Sequence, residues 1–417
     1  MADFYLRTRC RMCDSADLEM VMALTPTPPG NNFLRHEELA LPEPSYPLDL
    51  YFCRRCHHVQ LGHVVDPKIL YQKDYFYVSG TSSRFVEHLR DYALDMVRRF
   101  DLSPGDFVAD IGSNDGTCLR CFQEAGTKKV LGVDPATKIA RRATESGIET
   151  VGDFFSYDLA LALREKYGPA TFITSHNACA HIDNLADVVR GVRHWLTDDG
   201  LFVLEVGYLL DVYENVWFDT IYHEHLDFHT VAPFKELFAR TGMEMIGVQR
   251  VSPQGGSIRV MAQKAGGPRA ADGSVEALIE QEHAAGLNKP ETFVRFGQRV
   301  NEVGTRLRSL VKSLTANGKT IAGYGAATKS TTLLAHFGLG SDDLAFIVDD
   351  NPLKQGLFSP AAHIPVVAVE ELHHRQVDYL LILAWNFAEP IMENNRWYED
   401  QGGKFIVPMP VPRIVER

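Results

Sequence analysis

The chain has 417 residues, 45% of them hydrophobic, and a formal net charge of −12 at pH 7. That length accommodates two or three domains. The acidic balance argues against nucleic acid or an anionic membrane as a partner. No apolar run is long enough to span a bilayer, and the first 30 residues hold no signal-type apolar core. A cytoplasmic enzyme is the expectation, and seven cysteines do not suggest a disulfide scaffold.

Residues 1–74 read as a metal-binding module. Cys10-Arg-Met-Cys13 and Cys53-Arg-Arg-Cys56 are two C-x-x-C pairs, and each can supply two thiolates to one tetrahedral ion from a short turn. The 39 residues between them (14–52) are rich in proline (PTPPG, LPEPSYP) and read as an ordered excursion. A redox pair would more usually occur once, beside a βαβ pattern. His57 and His58 follow and compete as ligands, but four thiolates already complete a closed zinc site. Such a site stabilises and leaves no open position for catalysis.

Residues 75–265 carry the pattern of a nucleotide-binding core. Tyr75, Phe76 and Tyr77 precede an amphipathic helix over roughly 83–100. Strands and helices then alternate: VADIGSN, VLGVDPA with a helix through Arg142, ETVGDFF with a helix near 159–167, TFITSHNACAHI with a helix over 185–196, and LFVLEVGYL after the turn at 198–200. This alternation implies a parallel, doubly wound sheet, with ligands at the carboxyl ends of its strands. The rule gathers Asp110, Gly112, Asp134, Asp153, Asn177, His181, Glu205 and Tyr208 around one crevice.

The stretch 107–122, FVADIGSNDGTCLRCF, organises that crevice. A buried strand ends at Asp110, and Gly112 and Gly116 make a tight turn around Asn114 and Asp115. Glycine lets backbone approach a ligand closely because it has no Cβ to clash. Asp134 closes the next strand, 22 positions after Gly112, a distance that suits an acid accepting from ribose hydroxyls. In GDFF (152–155), Asp153 and Phe154 can take the adenine amino group and ring face. The loop lacks a Walker lysine and differs from G-x-G-x-x-G. It resembles the first motif of the class I S-adenosyl-L-methionine (SAM) methyltransferases.

Tyr222-His223-Glu224-His225 is the chemical stretch, with spacing wrong for the H-E-x-x-H of a zincin. An extended chain would part His223 and His225 from Tyr222 and Glu224, and a helix would separate them differently, so the geometry stays open. PQGGSIRVMAQ then ends the core with antiparallel strands. Residues 266–417 form a second α/β unit: a linker (GGPRAADGS), a helix over roughly 291–317, then TIAGYGAATKS, AFIVDDNP, IPVV and DYLLILAW. Its Gly323-x-Gly325 turn lacks the third glycine of a dinucleotide fingerprint. Lys329 can neutralise a phosphate there, and Tyr324 and Asn386 can line a sugar or base pocket.

The four-cysteine module, DIGSNDG, Tyr222-x-Glu224-His225, GYGAATK, DDNPLKQG and LILAWN together resemble the SAM-dependent sugar C-methyltransferases of antibiotic deoxysugar biosynthesis. The resemblance covers the whole chain and runs nearest to the tetronitrose C-3′ branch. It implies a zinc-binding module (1–74), a class I, Rossmann-like methyltransferase core (75–265) and a C-terminal Rossmann-like α/β domain (266–417) contributing to a nucleotide-sugar site. It implies SAM as donor with S-adenosylhomocysteine as product, structural Zn2+ on Cys10, Cys13, Cys53 and Cys56, and a monomer. The substrate it implies is a dTDP-linked 3-amino-4-keto-deoxyhexose. A carbon acceptor must become an enolate, so His225 is expected as base, with Tyr222 and His181 donating to the enolate oxygen. Glu224 orients His225 or holds a sugar group. Phe76 stands in a stretch that is tyrosine-rich in the family, a departure that removes a hydroxyl from the sugar's keto or amino group; Phe76 and Tyr77 are the residues expected at the sugar there. The rival readings are an NAD-dependent nucleotide-sugar dehydrogenase or epimerase, a non-enzymatic SAM-sensing zinc protein, and an O- or N-methyltransferase.

Overall fold

The computed structural model describes residues 3–71 and 78–415; Phe76 and Tyr77 lie outside the described residues. The central sheet has seven strands, in the order Met243–Val251, Ser257–Lys264, Leu196–Gly207, Ala170–His176, Phe107–Ile111, Lys129–Val133, Thr150–Val151. Ser257–Lys264 runs against both neighbours, and the remaining pairs are parallel. Phe107–Ile111 is buried at every position, as a strand covered on both faces requires. Its side chains alternate between two cores. Phe107, Ala109 and Ile111 join Ile173, Val192 and Trp195 on one face. Val108 joins Phe172 and Phe122 on the other, beneath Leu89, Tyr92 and Met96 of the helix Ser83–Arg99.

The zinc module is a four-stranded antiparallel sheet ordered Leu18–Thr27, Tyr46–Cys53, Val59–Leu61, Asp227–Phe228. Its last strand comes from the segment just after His225, so the module and the core share a sheet. The C-terminal sheet has six strands, ordered Val366–Val367, Ile347–Val348, Ile321–Tyr324, Tyr379–Ile382, Lys404–Val407, Arg413–Val415, parallel except for the last. The proline-rich excursion is ordered and bridges to this unit, with Leu34 pairing antiparallel to Phe358.

The long helix expected over 291–317 is Pro290–Ala316, with proline at its start, where the missing N–H costs nothing. The helix Ser274–Ala284 was not expected beyond the linker. Its apolar pattern is short, Val275, Leu278 and Ile279, and it packs on the core through those residues, with only Val275 and Glu282 fully buried.

Candidate active site

A cleft of about 520 Å³ opens at the carboxyl ends of the core strands, against the C-terminal unit. The expected residues Asp110, Gly112, Asn114, Asp134, Phe154, Asn177, His181, Tyr222, Glu224, His225, Lys329 and Asn386 all line it. Asp115, Gly116, Asp153 and Tyr324 do not line it.

One end is the glycine loop. Gly112 has φ +77°, and a Cβ there would meet the Ala178 Cβ at 2.3 Å, so only glycine fits. Asp134 accepts from the backbone N–H groups of Asn114 and Ala136, each at 2.8 Å, which pins its carboxylate to the lip. Burial raises its pKa. Asp110 is raised well above the usual carboxylate range by burial and by Asp134. Its Oδ1 has no hydrogen-bond partner among the described residues. Phe154 keeps 37% of its surface exposed, while Asp153 turns its carboxylate to the Phe154 N–H at 2.7 Å. Asp115 serves the loop itself, accepting from Gly80 N–H and the Thr117 hydroxyl. The donor set fits SAM: a buried carboxylate with one oxygen unpartnered among the described residues, a fixed acid on the lip and an aromatic face.

The middle of the cleft is the Tyr222–His225 stretch, which is neither extended nor helical. It is a turn closed by His225 N–H donating to Tyr222 O at 2.9 Å. That closure brings the two rings within 4.1 Å, centroid to centroid. His225 Nδ1–H donates to Thr220 O at 2.8 Å, which leaves Nε2 bare to accept the Tyr222 O–H at 2.8 Å. Burial pushes His225 down to about 4, so its ring is neutral near pH 7. His181 lies across from it, ring centroids 5.0 Å apart. Its Nδ1 and the Tyr71 hydroxyl share a hydrogen bond of 2.9 Å, and burial and His225 hold the ring well below the ordinary imidazole value. Burial raises Glu224 to about 7. Its Oε1 accepts from Asn31 Nδ2 at 2.7 Å, and Asn31 Oδ1 accepts the Thr328 hydroxyl at 2.8 Å. Glu224 therefore turns to Asn31. His223 faces away and donates to Tyr46 O at 3.1 Å. Sequence reasoning missed Asn31, Thr328 and Tyr71; Asn31 sits among prolines and glycine with no local pattern to mark it.

The far end belongs to the C-terminal unit. Lys329 Nζ donates to Asn386 Oδ1 at 2.5 Å and stands 3.5 Å above the Trp385 ring. Trp217 stacks on Trp385 at 4.6 Å, and Trp385 Nε1–H donates to Asp219 at 2.7 Å. Burial pushes Lys329 down to about 8 and Asp219 up to about 6, against their mutual attraction. Tyr324 is a correction to the expected pocket. Only 5% exposed, it packs with Phe346, Val348 and Ile382 inside the C-terminal core and meets Asn395 at 3.3 Å. Glu205 and Tyr208, expected at the crevice, have inward partners. Glu205 accepts from Arg259 and His88, and Tyr208 donates to Glu282.

At the zinc module the four Sγ atoms lie within 4.8 Å of one another, and the pairs Cys10–Cys56 and Cys13–Cys53 are 3.5 Å apart. A tetrahedral ion with Zn–S bonds of about 2.3 Å needs sulfurs roughly 3.8 Å apart, so the cysteines fit zinc. His58 is not a fifth ligand: its Nε2 donates to Asp227 at 2.6 Å.

Three family models match the chain: a zinc binding domain over residues 10–71, a methyltransferase domain over 85–248, and a C-methyltransferase C-terminal domain over 252–410. The C-methyltransferase NovU of Streptomyces niveus is 36% identical over 406 residues, covering 97% of this chain and 96% of its own. Magnesium protoporphyrin IX methyltransferase (ChlM) from Synechocystis PCC 6803 is 14% identical over 44% of this chain and 82% of its own, with a TM-score of 0.34. A SAM-dependent methyltransferase from Mesorhizobium loti is 17% identical over 42% of this chain and 100% of its own, with a TM-score of 0.33. The dehydrogenase and sensor readings are left without support. On its near full-length identity and its three matching domains, the chain belongs to the C-methyltransferase family, as a SAM-dependent enzyme with a structural zinc module.

Proposed function

We propose that the enzyme methylates C-3′ of a dTDP-linked 3-amino-4-keto-deoxyhexose in deoxysugar biosynthesis, through an enolate. One observation carries this reading: a buried, neutral His225 whose bare Nε2 is paired with the Tyr222 hydroxyl on a cleft shared with the glycine loop. A carbon beside a ketone is acidified but still needs a positioned base. His225 Nε2 takes the C-3′ proton, the C–H electron pair becomes the C-3′–C-4′ π bond, and the carbonyl π pair moves onto the C-4′ oxygen.

Tyr222 then turns its O–H from Nε2 to that oxygen. His181 acts in the tautomer in which Nδ1 accepts the Tyr71 O–H, so that its Nε2–H donates to the same charge. Glu224, held by Asn31, receives the sugar amine. SAM supplies an electrophilic methyl group, and Asp110, Gly112, Asn114, Asp134, Phe154 and Asn177 are the residues that hold it. Asp115, Gly116 and Asp153 shape that lip from outside the cleft. Trp217, Trp385, Lys329 and Asn386 receive the nucleotide end. Positioning the reactants together accounts for much of the acceleration.

The test is transfer from SAM carrying a trideuterated methyl to a panel of dTDP-4-keto-deoxysugars, followed by mass spectrometry and NMR of the product. A deuterated methyl on C-3′ is expected. Label on oxygen or nitrogen, or no transfer to any sugar, overturns the reading.

A further inference from the structure

We propose that Arg11, between the first two zinc ligands, is a positioning residue that holds the His181 and His225 loops in register from the zinc side. The inference rests on the reading that those histidines act on the sugar. Arg11 is 1% exposed, and its fork reaches out of the metal module into the core. Nε donates to Asp183 Oδ1 at 2.9 Å, and Nη1 donates to the carbonyls of Leu61 at 2.8 Å and Leu226 at 3.3 Å. Asp227 Oδ2 stands 4.0 Å from Nε. Asp183 lies two positions after His181, and Leu226 directly follows His225. One guanidinium thus ties both histidine loops, which are otherwise joined there by Leu226 N–H donating to Ala180 O at 2.8 Å.

The anchor on the other side is equally defined. Cys10 and Cys13 flank Arg11, and its own N–H donates to Gln60 at 2.9 Å. Zinc on the flanking thiolates fixes the backbone from which the fork extends. Two more ties bind the same strip of core: Leu61 N–H donates to Leu226 O at 2.8 Å, and His58 donates to Asp227 at 2.6 Å. Arg7 Nη1 also reaches Asp183, at 2.9 Å, but touches neither carbonyl. A planar fork serves a carboxylate and two carbonyls at once, which a lysine ammonium cannot do from one position.

The experiment uses full-length Arg11→Lys and Asp183→Asn, with His225→Asn as control. Zinc content is read by elemental analysis, SAM affinity by calorimetry, turnover on the dTDP-4-keto sugar panel, and the imidazole nitrogens by 1H–15N NMR. Both variants should keep one zinc per chain and native SAM affinity. Their kcat should fall about ten- to a hundredfold with KM little moved, the usual scale for outer-shell partners. The His181 and His225 nitrogen resonances should shift with the drop in kcat. Native kcat and native resonances in both variants overturn the proposal, as does a loss of kcat that merely follows loss of zinc in both. If Arg11→Lys fails to fold, Asp183→Asn decides beside Arg7→Gln, which removes the other arginine on that carboxylate and should leave kcat and both resonances native; equal losses in the two variants overturn the role of Arg11. Native turnover in His225→Asn sinks the catalytic reading instead, and the resonances then still decide whether Arg11 positions the two rings.

Discussion

Replacing His225 with asparagine should lower kcat by about 10²–10⁴-fold, the usual contribution of a positioned general base. At about 1.4 kcal/mol per tenfold, that is roughly 3–5 kcal/mol of barrier. The whole of it is at stake because the ring is fixed at both nitrogens, by Thr220 O and by the Tyr222 hydroxyl, each at 2.8 Å. Asparagine keeps the backbone bond to Tyr222 O that closes the turn, but brings no group that takes a proton near neutral pH. SAM affinity should stay native, since the glycine loop and Asp134 belong to other strands.

The substitution also has a stability signature. The folded ring titrates near 4, below its unfolded value near 6.5. The unfolded chain therefore binds more protons between those values, and native stability falls as pH drops through that window. The deficit attributable to His225 reaches about 3 kcal/mol below pH 4, and the variant is spared it. Quenched-flow turnover at pH 7, SAM calorimetry and urea melts at pH 4.5 and 7 read all three effects. Turnover within threefold of native refutes the assignment of the base.

Tyr222→Phe removes the hydroxyl from Nε2 while keeping the ring. A charge-assisted hydrogen bond to the enolate oxygen is worth about 1.5–3 kcal/mol, so kcat should fall about ten- to a hundredfold. Unchanged kcat removes Tyr222 from the oxygen. If ionised Glu224 holds the sugar amine, native kcat/KM falls as pH drops through about 7, where the carboxylate is protonated. In Asn31→Asp a second carboxylate faces Glu224 and moves that limb to higher pH, and a pH–rate profile without the movement contradicts the pairing. Lys329→Gln should weaken dTDP binding about tenfold in calorimetry and leave SAM alone. Equal affinity for dTDP moves the nucleotide elsewhere. Chelating zinc should unfold the four-cysteine module, because the ion supplies on the order of 10 kcal/mol to such sites. An unchanged calorimetric melt after metal removal contradicts a structural role.

The glycine loop was legible because its signals are local. A fully apolar strand, two glycines that must turn and an acid at the next strand end each leave a mark in sequence. The Tyr222–His225 turn was not legible, since the same four residues suit a strand, a helix or a turn. What decides among them is distant: Leu226 joins the zinc module through Leu61, and Thr220 supplies its carbonyl to His225. Asn31 was invisible for the same reason, since its partners Glu224 and Thr328 lie 193 and 297 positions away. Tyr324 misled because a tyrosine beside a glycine turn looks available, whereas strand alternation turns it into the core with Phe346 and Ile382.

The most direct test of enolate chemistry is solvent deuterium exchange into the dTDP-4-keto sugars, with native enzyme and His225→Asn, in the absence and presence of SAM. Native enzyme should place deuterium on C-3′ without SAM and a methyl there with it, and His225→Asn should do neither. A native enzyme that methylates oxygen or nitrogen while C-3′ keeps its proton would contradict carbon methylation, and exchange that persists in His225→Asn would contradict the base.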